Sequence, residues 1–320
     1  MPAPAQPPPP SAAGLRRVTF FALGTTCEIQ YVCDDAVRGA RFERAAIGWV
    51  QAFEAQYSRF RENSLIGRIN AAAGHDWVPI DADMERMLKL CDTIVFLSQG
   101  LLDPTALPLL RIWNYKAAEP AIPSEPAIAA ARKLVGWAKV RREPGRIMLP
   151  LPGMALDFGG FGKEYAVDVV AQLAQTHGFA HVLVDFGHDL RACGAPPGKP
   201  AWHIGLEDPH APGTTAGSVA LTQGRGIASS GDYVRRFVVD GRRYGHIVDP
   251  RTGWPVANGA LQATAIAPPC LQAGILSTTA FLLGAPQGIE LIQSFAQAEG
   301  LLVTDRLRAQ TRGFFNYVVT

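Results

Sequence analysis

The turn Asp240-Gly241 constrains this chain more than any other feature. It separates two strand-like runs in Arg236-Phe237-Val238-Val239 and Arg242-Arg243-Tyr244. A two-residue loop needs positive φ at both positions, which Asp and Gly tolerate, so the flanks are committed to an antiparallel hairpin. Just beyond it, Asp249-Pro250 followed by Thr252-Gly253 predicts a second turn. The hairpin would hold His246 and Asp249 on a rigid strand end, where catalytic groups are often mounted. Polar residues this dense are costly to bury without partners. The fragment alone fits a mounted catalytic pair and a surface hairpin of solvated charges equally.

Hairpins recur along the chain. Strands are expected near Val18–Ala22 and Cys27–Val32, around a turn at Gly24-Thr25-Thr26, at Val140–Arg142 with Arg146–Leu149, and at Val182–Phe186. Short strands then run to Ala267 with turns about every ten residues. Apolar spacing predicts helices over about 40–56 and 82–98 (capped by Asp81 or Asp83); the stretch 159–177 begins with glycines and should become a helix, and helices are expected at 271–283 and 287–297. A short helix should end near Trp137, and strands at Leu301–Val303 and Phe315–Val318 should close the chain. Paired strands without strict β-α-β alternation point to an α+β fold. No internal linker or fixed-period repeat divides residues 16–320, so one unit is expected, with room for two lobes.

Composition narrows the function. The 320 residues are 48% hydrophobic and 18% charged, an ordinary globular balance that can bury a large core. A net charge of +2 with no basic run gives no case for nucleic-acid binding. Residues 1–15 form a Pro/Ala-rich tract, expected to be a disordered tail. They show no signal-peptide core, and no apolar run reaches membrane-span length. The five cysteines are scattered and odd in number, which fits buried thiols in a reducing, cytoplasmic setting.

Gly159-Gly160-Phe161-Gly162-Lys163 lies where a strand should give way to a helix. Glycines let backbone approach a phosphate, helix N–H groups attract an anion, and Lys163 adds a charge. Tight strand–helix packing explains the glycines equally well. The run is neither a Walker loop nor a dinucleotide fingerprint.

Six motifs in order resemble the ApbE-type flavin transferases. These are Leu23-Gly24-Thr25-Thr26; Tyr57-Ser58-Arg59-Phe60 through Asn63-Ser64-Leu65 to Arg68-Ile69-Asn70; and Asp103-Pro104-Thr105 to Pro108-Leu109 with Trp113. The others are Leu156-Asp157-Phe158-Gly159-Gly160-Phe161-Gly162-Lys163 with Tyr165-Ala166-Val167-Asp168; Gly231-Asp232-Tyr233 with His246-Ile247-Val248-Asp249-Pro250-Arg251-Thr252-Gly253; and Leu276-Ser277-Thr278 with Phe281 and Gly284. The resemblance spans about residues 21–284. It implies a single T-fold-related domain that takes FAD, moves FMN to a Ser or Thr hydroxyl of an acceptor protein and releases AMP. It implies FAD contacts from Leu23, Phe60, Leu101, Leu102, Asp103, Asp157, Lys163 and Ile247. It also implies Mg²⁺ ligation at Gly160, position 274 and Thr278. His246 is the expected base, because its ordinary pKa lies near neutrality, and Asp249 could orient it. Phe60, Leu101 and Leu102 are equally well read as ordinary core.

The chain departs from the family pattern in four places. Gly274 stands where the family has a metal-binding Asp. Glu164 replaces a glycine and is expected to be a solvated helix residue rather than a substitute ligand. Gly245 replaces a frequent His. His188 replaces a glycine in Asp185-Phe186-Gly187-His188-Asp189, where positive φ would strain it. Losing a carboxylate at 274 predicts a weak metal site that Gly274→Asp would strengthen. It leaves two rivals to the transferase: an FAD carrier or sensor without transfer, and a metal-dependent FAD pyrophosphatase using water as acceptor.

Overall fold

Every strand of the central sheet runs antiparallel to the one before it. In this computed structural model, which describes residues 14–117 and 119–319, eight strands follow one another in chain order: Gly14–Ala22, Thr25–Cys33, Val182–Phe186, Asp189–Cys193, Arg225–Gly231, Ala260–Ala267, Glu299–Thr304 and Arg308–Gln310. Two tight turns make the meander. Leu23-Gly24 joins the first pair with φ of 54° and 71°, and Gly187-His188 joins the third and fourth strands with φ of 62° and 71°. Thr25 and Thr26 already belong to the second strand. The expected strain at His188 is present, and the His188 N–H donates to Asp185 Oδ1 at 2.8 Å. The Asp240-Gly241 hairpin forms as expected, with Val239 opposite Arg242 and φ of 49° and 73° in the turn.

The helices are α1 (Ala36–Tyr57), α2 (Leu65–Ala71), α3 (Ala82–Leu97), α4 (Leu107–Ile112), α5 (Glu125–Lys133), α6 (Gly162–Thr176), α7 (Cys270–Leu283) and α8 (Gln287–Ser294). Side-chain oxygens of Asp35, Ser64, Asp81 and Ser124 accept N–H groups at the starts of α1, α2, α3 and α5. Phe42, Ala46 and Val50 of α1 and Ala166, Val167, Val170 and Ala174 of α6 pack with Ile29, Tyr31, Val182 and Val184 of the sheet. Further along, Ala273, Leu276, Ala280 and Phe281 of α7 pack with Ala263, Ala265 and Leu302. Helix α7 is buried on nearly every side, which its small residues allow. A three-stranded sheet, Val318–Val319, Thr215–Leu221 and Trp202–Glu207, supplies Trp202, Val219 and Leu221 to a separate cluster with Leu190, Ile227 and Leu301. Among the described residues, no helix is long and apolar enough to cross a membrane.

Several boundaries differ from the sequence expectations. Gly14 and Leu15 pair with Cys33 and Val32, so the first strand begins inside the expected tail; the rest of that tail lies outside the described residues. Helices α2 and α4 are too short to show a period and were not expected. Residues 314–317 form a 3₁₀ turn, and the expected strand at Phe315–Val318 begins only at Val318. Helix α8 ends at Ser294 instead of continuing to residue 297.

Candidate active site

Three motifs far apart in sequence are fastened into one cradle. Asn70, at the end of α2, donates through Nδ2 to the Leu156 carbonyl at 3.0 Å and accepts the Leu156 N–H at 2.6 Å. This pins the segment leading into the glycine turn. The next residue, Asp157, donates its N–H to the Pro104 carbonyl at 2.8 Å, bringing the Asp103 turn alongside. Arg59 completes the set with its Nε 3.2 Å from Asp157 Oδ2, and its guanidinium lies over the Phe60 ring at 4.4 Å. Burial pushes the Asp157 carboxyl up, opposed by the Arg59 charge and the Gly159 N–H.

Asp103 is occupied by its own turn and by the segment at Trp137. It accepts from the Thr105 N–H at 2.8 Å, the Thr105 hydroxyl at 2.6 Å and the Trp137 N–H at 2.9 Å. Leu101 is buried core and Leu102 half-buried, as the ordinary packing reading allowed. Phe60 is not core at all: it is 81% exposed. An aromatic face left in solvent beside an arginine offers a platform for a flat ring. Leu23, in its positive-φ turn, donates its N–H to Glu54 Oε1 at 3.0 Å.

Beside the cradle, α6 and α7 run antiparallel, and the pairing has a step of one helical turn. Asp168 of α6 accepts the Cys270 and Leu271 N–H groups, both at 2.9 Å, and so caps α7 from outside it; Arg191 Nη1 holds the same carboxylate at 2.9 Å. One turn back along α6, Glu164 faces Gly274. A Cβ on Gly274 would lie 2.7 Å from Glu164 Cγ and 3.1 Å from Oε1. Thr278 lies one further turn along α7 from Gly274. The Thr278 and Ser277 hydroxyls meet Ser230 Oγ at 2.7 and 3.0 Å. Lys163 is ion-paired with the buried Asp189. No side chain caps α6, which leaves its positive end for an anion.

Glu164 corrects a sequence expectation. It is not solvated: it is 8% exposed, and its Oε2 is buried with no hydrogen-bond partner. Burial pushes its carboxyl up, opposed by the Lys163 charge and its own backbone N–H, with Asp168 adding to the effect.

The hairpin carries the third part. His246 donates its N–H to the Arg235 carbonyl at 3.0 Å, while its Nδ1 is buried without a partner. Burial and the Arg235 charge lower its pKa from 6.5 to about 4, so the ring is neutral at physiological pH. The Tyr115 ring lies 5.7 Å away, centroid to centroid. Asp232, itself buried, packs where a side chain at Gly245 would go: a Cβ there would lie 2.4 Å from Asp232 Cβ, which accounts for the glycine. Ile247 packs against the α7 cluster.

Asp249 does not orient His246. Its carboxylate is taken by Arg251, through Nη2 at 2.7 Å, Nε at 3.0 Å and the backbone N–H at 2.8 Å. Its carbonyl accepts the Gly253 N–H at 2.7 Å, so Asp249 builds the turn. Trp113 Nε1 donates to the Gly253 carbonyl at 2.7 Å and fixes that turn to the α4 segment.

The ApbE family profile matches residues 23–302. This chain belongs to the ApbE family. A curated FAD:protein FMN transferase of Treponema pallidum is 28% identical over 317 residues, covering 92% of this chain and 87% of that protein. Another from Vibrio cholerae is 26% identical over 275 residues, covering 85% and 82%. The crystal structure of the ApbE protein from Thermotoga maritima superposes with a TM-score of 0.85 at 28% identity, over 96% of this chain and 100% of that one. The apo flavinyl transferase ApbE of Pseudomonas stutzeri gives 0.84 at 27% identity, over 95% and 97%.

Within this ApbE-family chain, sequence reasoning named the cradle, Lys163, Thr278 and His246, but missed Arg59, Ser230, Asp189 and the buried Asp232. Ser230 and Asp232 flank Gly231 in a motif already singled out. Asp189 and Arg59 carried no signal beyond their motifs.

Proposed function

We propose that the chain is an FAD:protein FMN transferase that moves FMN from FAD to a Ser or Thr hydroxyl of an acceptor protein. The observation that carries this is a neutral, unpartnered imidazole, His246, on a hairpin fastened by Trp113 to an intact cradle. In the reaction, the acceptor oxygen forms a bond to the phosphorus nearer riboflavin. The bond from that phosphorus to the bridging oxygen breaks, and AMP leaves with the electron pair. The hydroxyl proton passes to His246. A neutral base is available without prior deprotonation, and the arriving pyrophosphate charge raises its basicity.

Phe60 offers a face to the isoalloxazine ring, and Asp103 and Asp157 shape the polar edge. Leu23, Leu101, Leu102 and Ile247 supply apolar wall. Lys163, steadied by Asp189, and the open end of α6 meet the phosphates. Asp249 acts through the turn it builds. The oxygens near the start of α6 suit a hard cation: the Glu164 carboxylate, the Thr278 hydroxyl and the Gly160 carbonyl. Mg²⁺ held there would neutralise pyrophosphate charge.

Gly274 favoured a binding-only protein, but Glu164 returns a carboxylate to that space, and the case weakens accordingly. The test is incubation with FAD and Mg²⁺, with and without a candidate acceptor. Mass analysis should find protein-linked FMN and equimolar AMP. AMP without protein-linked FMN would assign a pyrophosphatase; neither product would leave a carrier.

A further inference from the structure

We infer that Glu164 has taken over the metal-carboxylate role that the family places at position 274, so that the ligand reaches the same site from α6 instead of α7. The inference rests on the transferase reading and concerns the divalent cation of that site. Its first support is steric. Glu164 Cγ, Cδ and Oε1 lie 2.7, 3.1 and 3.1 Å from where a Gly274 Cβ would sit. The two positions therefore share one space, and only one can bear a carboxylate side chain. A glycine at 274 and an acid at 164 form a coupled exchange, not two independent departures.

The second support is the state of the carboxylate. Glu164 is more than nine-tenths buried, yet Oε2 has no donor. A buried carboxyl oxygen without a partner costs free energy that a purely structural residue would avoid. Asp168, one turn along the same helix, shows how the chain treats an acid meant for structure: two backbone N–H groups and Arg191 satisfy it. Glu164 has the same orientation toward α7 and none of these partners. A divalent cation would supply what is missing.

The third support is the donor set. Among the described residues no three His, Cys, Asp or Glu side chains gather as a metal cage. One carboxylate with hydroxyl and carbonyl oxygens, the remaining positions being left to phosphate and water, is how Mg²⁺ is commonly held. Gly274→Asp in the native background therefore adds a clash and a second negative charge rather than a ligand, reversing the expectation from sequence.

Mn²⁺ is the probe, followed by electron paramagnetic resonance in titrations of the full chain with and without FAD, alongside melting temperatures. Glu164→Gln should weaken Mn²⁺ binding by at least about tenfold while the metal-free protein melts no lower than the parent. Gly274→Asp alone should lower the melting temperature and fail to tighten Mn²⁺ binding. The exchange variant E164G/G274D should bring Mn²⁺ affinity back to near the parent value. Parent-like Mn²⁺ binding by Glu164→Gln overturns the inference, as does a folded exchange variant that binds no Mn²⁺. A parent that binds FAD but no Mn²⁺ also overturns it and leaves FAD recognition standing. A parent that binds no FAD instead removes the transferase reading.

Discussion

The cradle around Asp157 and the seam of α6 and α7, with the hairpin end that carries Asp232 and His246, both withdraw polar groups from solvent, but they treat them in opposite ways. In the cradle, Asn70 and Leu156 exchange two hydrogen bonds, Asp103 has three donors, and Asp157 has Arg59 and the Gly159 N–H. In the seam, Glu164 Oε2, both Asp232 carboxylate oxygens and His246 Nδ1 are buried without hydrogen-bond partners, although Asp232 is ion-paired with Arg243 at 3.1 Å. Nearly all buried polar groups in folded proteins are paired, so an unpartnered one is a place where a ligand or a proton can be expected. The cradle is finished by folding; the seam awaits its substrate.

That contrast predicts different penalties on the two sides. The largest effect belongs to the seam. His246→Ala should slow FMN transfer by a factor of about 10² to 10⁴, the usual worth of a positioned base, and leave FAD affinity nearly intact. Protein-linked flavin and FAD binding measured on the same variant check this, and transfer at the parent rate would remove His246 as base.

Next is the acid sensitivity of the seam. His246 has a folded pKa of about 4 against an ordinary 6.5. The unfolded chain therefore takes up this proton first as pH falls. The stability from keeping the ring neutral is complete above about pH 6.5 and lost progressively toward pH 4, amounting to roughly 3 kcal/mol. Burial raises Glu164 and Asp157, which act in the opposite sense, so the readout is the difference between parent and His246→Gln. Denaturant unfolding of both from pH 7 to pH 4 should show the parent losing more. Parallel curves would mean that the ring is solvated.

The cradle should respond in stability instead. Asn70→Ala strips partners from the Leu156 backbone at both ends and should cost about 2 kcal/mol in denaturant unfolding, with weaker FAD binding following from a loosened glycine turn. A variant as stable as the parent would show that those two bonds are not what holds the segment.

Phe60→Ala is the smallest change. With the ring 81% exposed, unfolding should move by no more than about 0.5 kcal/mol, while FAD affinity falls by about 1 kcal/mol from lost stacking. Titration of FAD fluorescence separates the two. A large loss of stability with unchanged affinity would return Phe60 to the core.

Local signals carried far in this chain. Asp240-Gly241 and Gly24 marked hairpins, Asp81 stood at the start of α3, and the apolar spacing of α1 and α3 set their inward faces. These depend on the preferences of one turn or one face, which neighbouring residues decide. Helix α2 escaped because seven residues hold too few turns to show a period. The 3₁₀ turn at residues 314–317 read as a strand from Phe315 onward because Phe315-Asn316-Tyr317 alternates apolar and polar and aromatic residues favour strands.

What the sequence by itself determined was the α+β class, the hairpin rhythm, the family and the identity of most residues at the site. What only the tertiary structure decided was which of them are spent on one another. Asp249 belongs to Arg251, and Asp103 to Thr105 and Trp137. Glu164 keeps one carboxylate oxygen without a partner and fills the space that Gly274 leaves. Glu164 and Gly274 lie 110 positions apart, and their exchange is invisible along the chain. Whether a carboxylate is solvated, paired or left waiting depends on what the opposing helix brings within a few ångströms, and no local pattern records that.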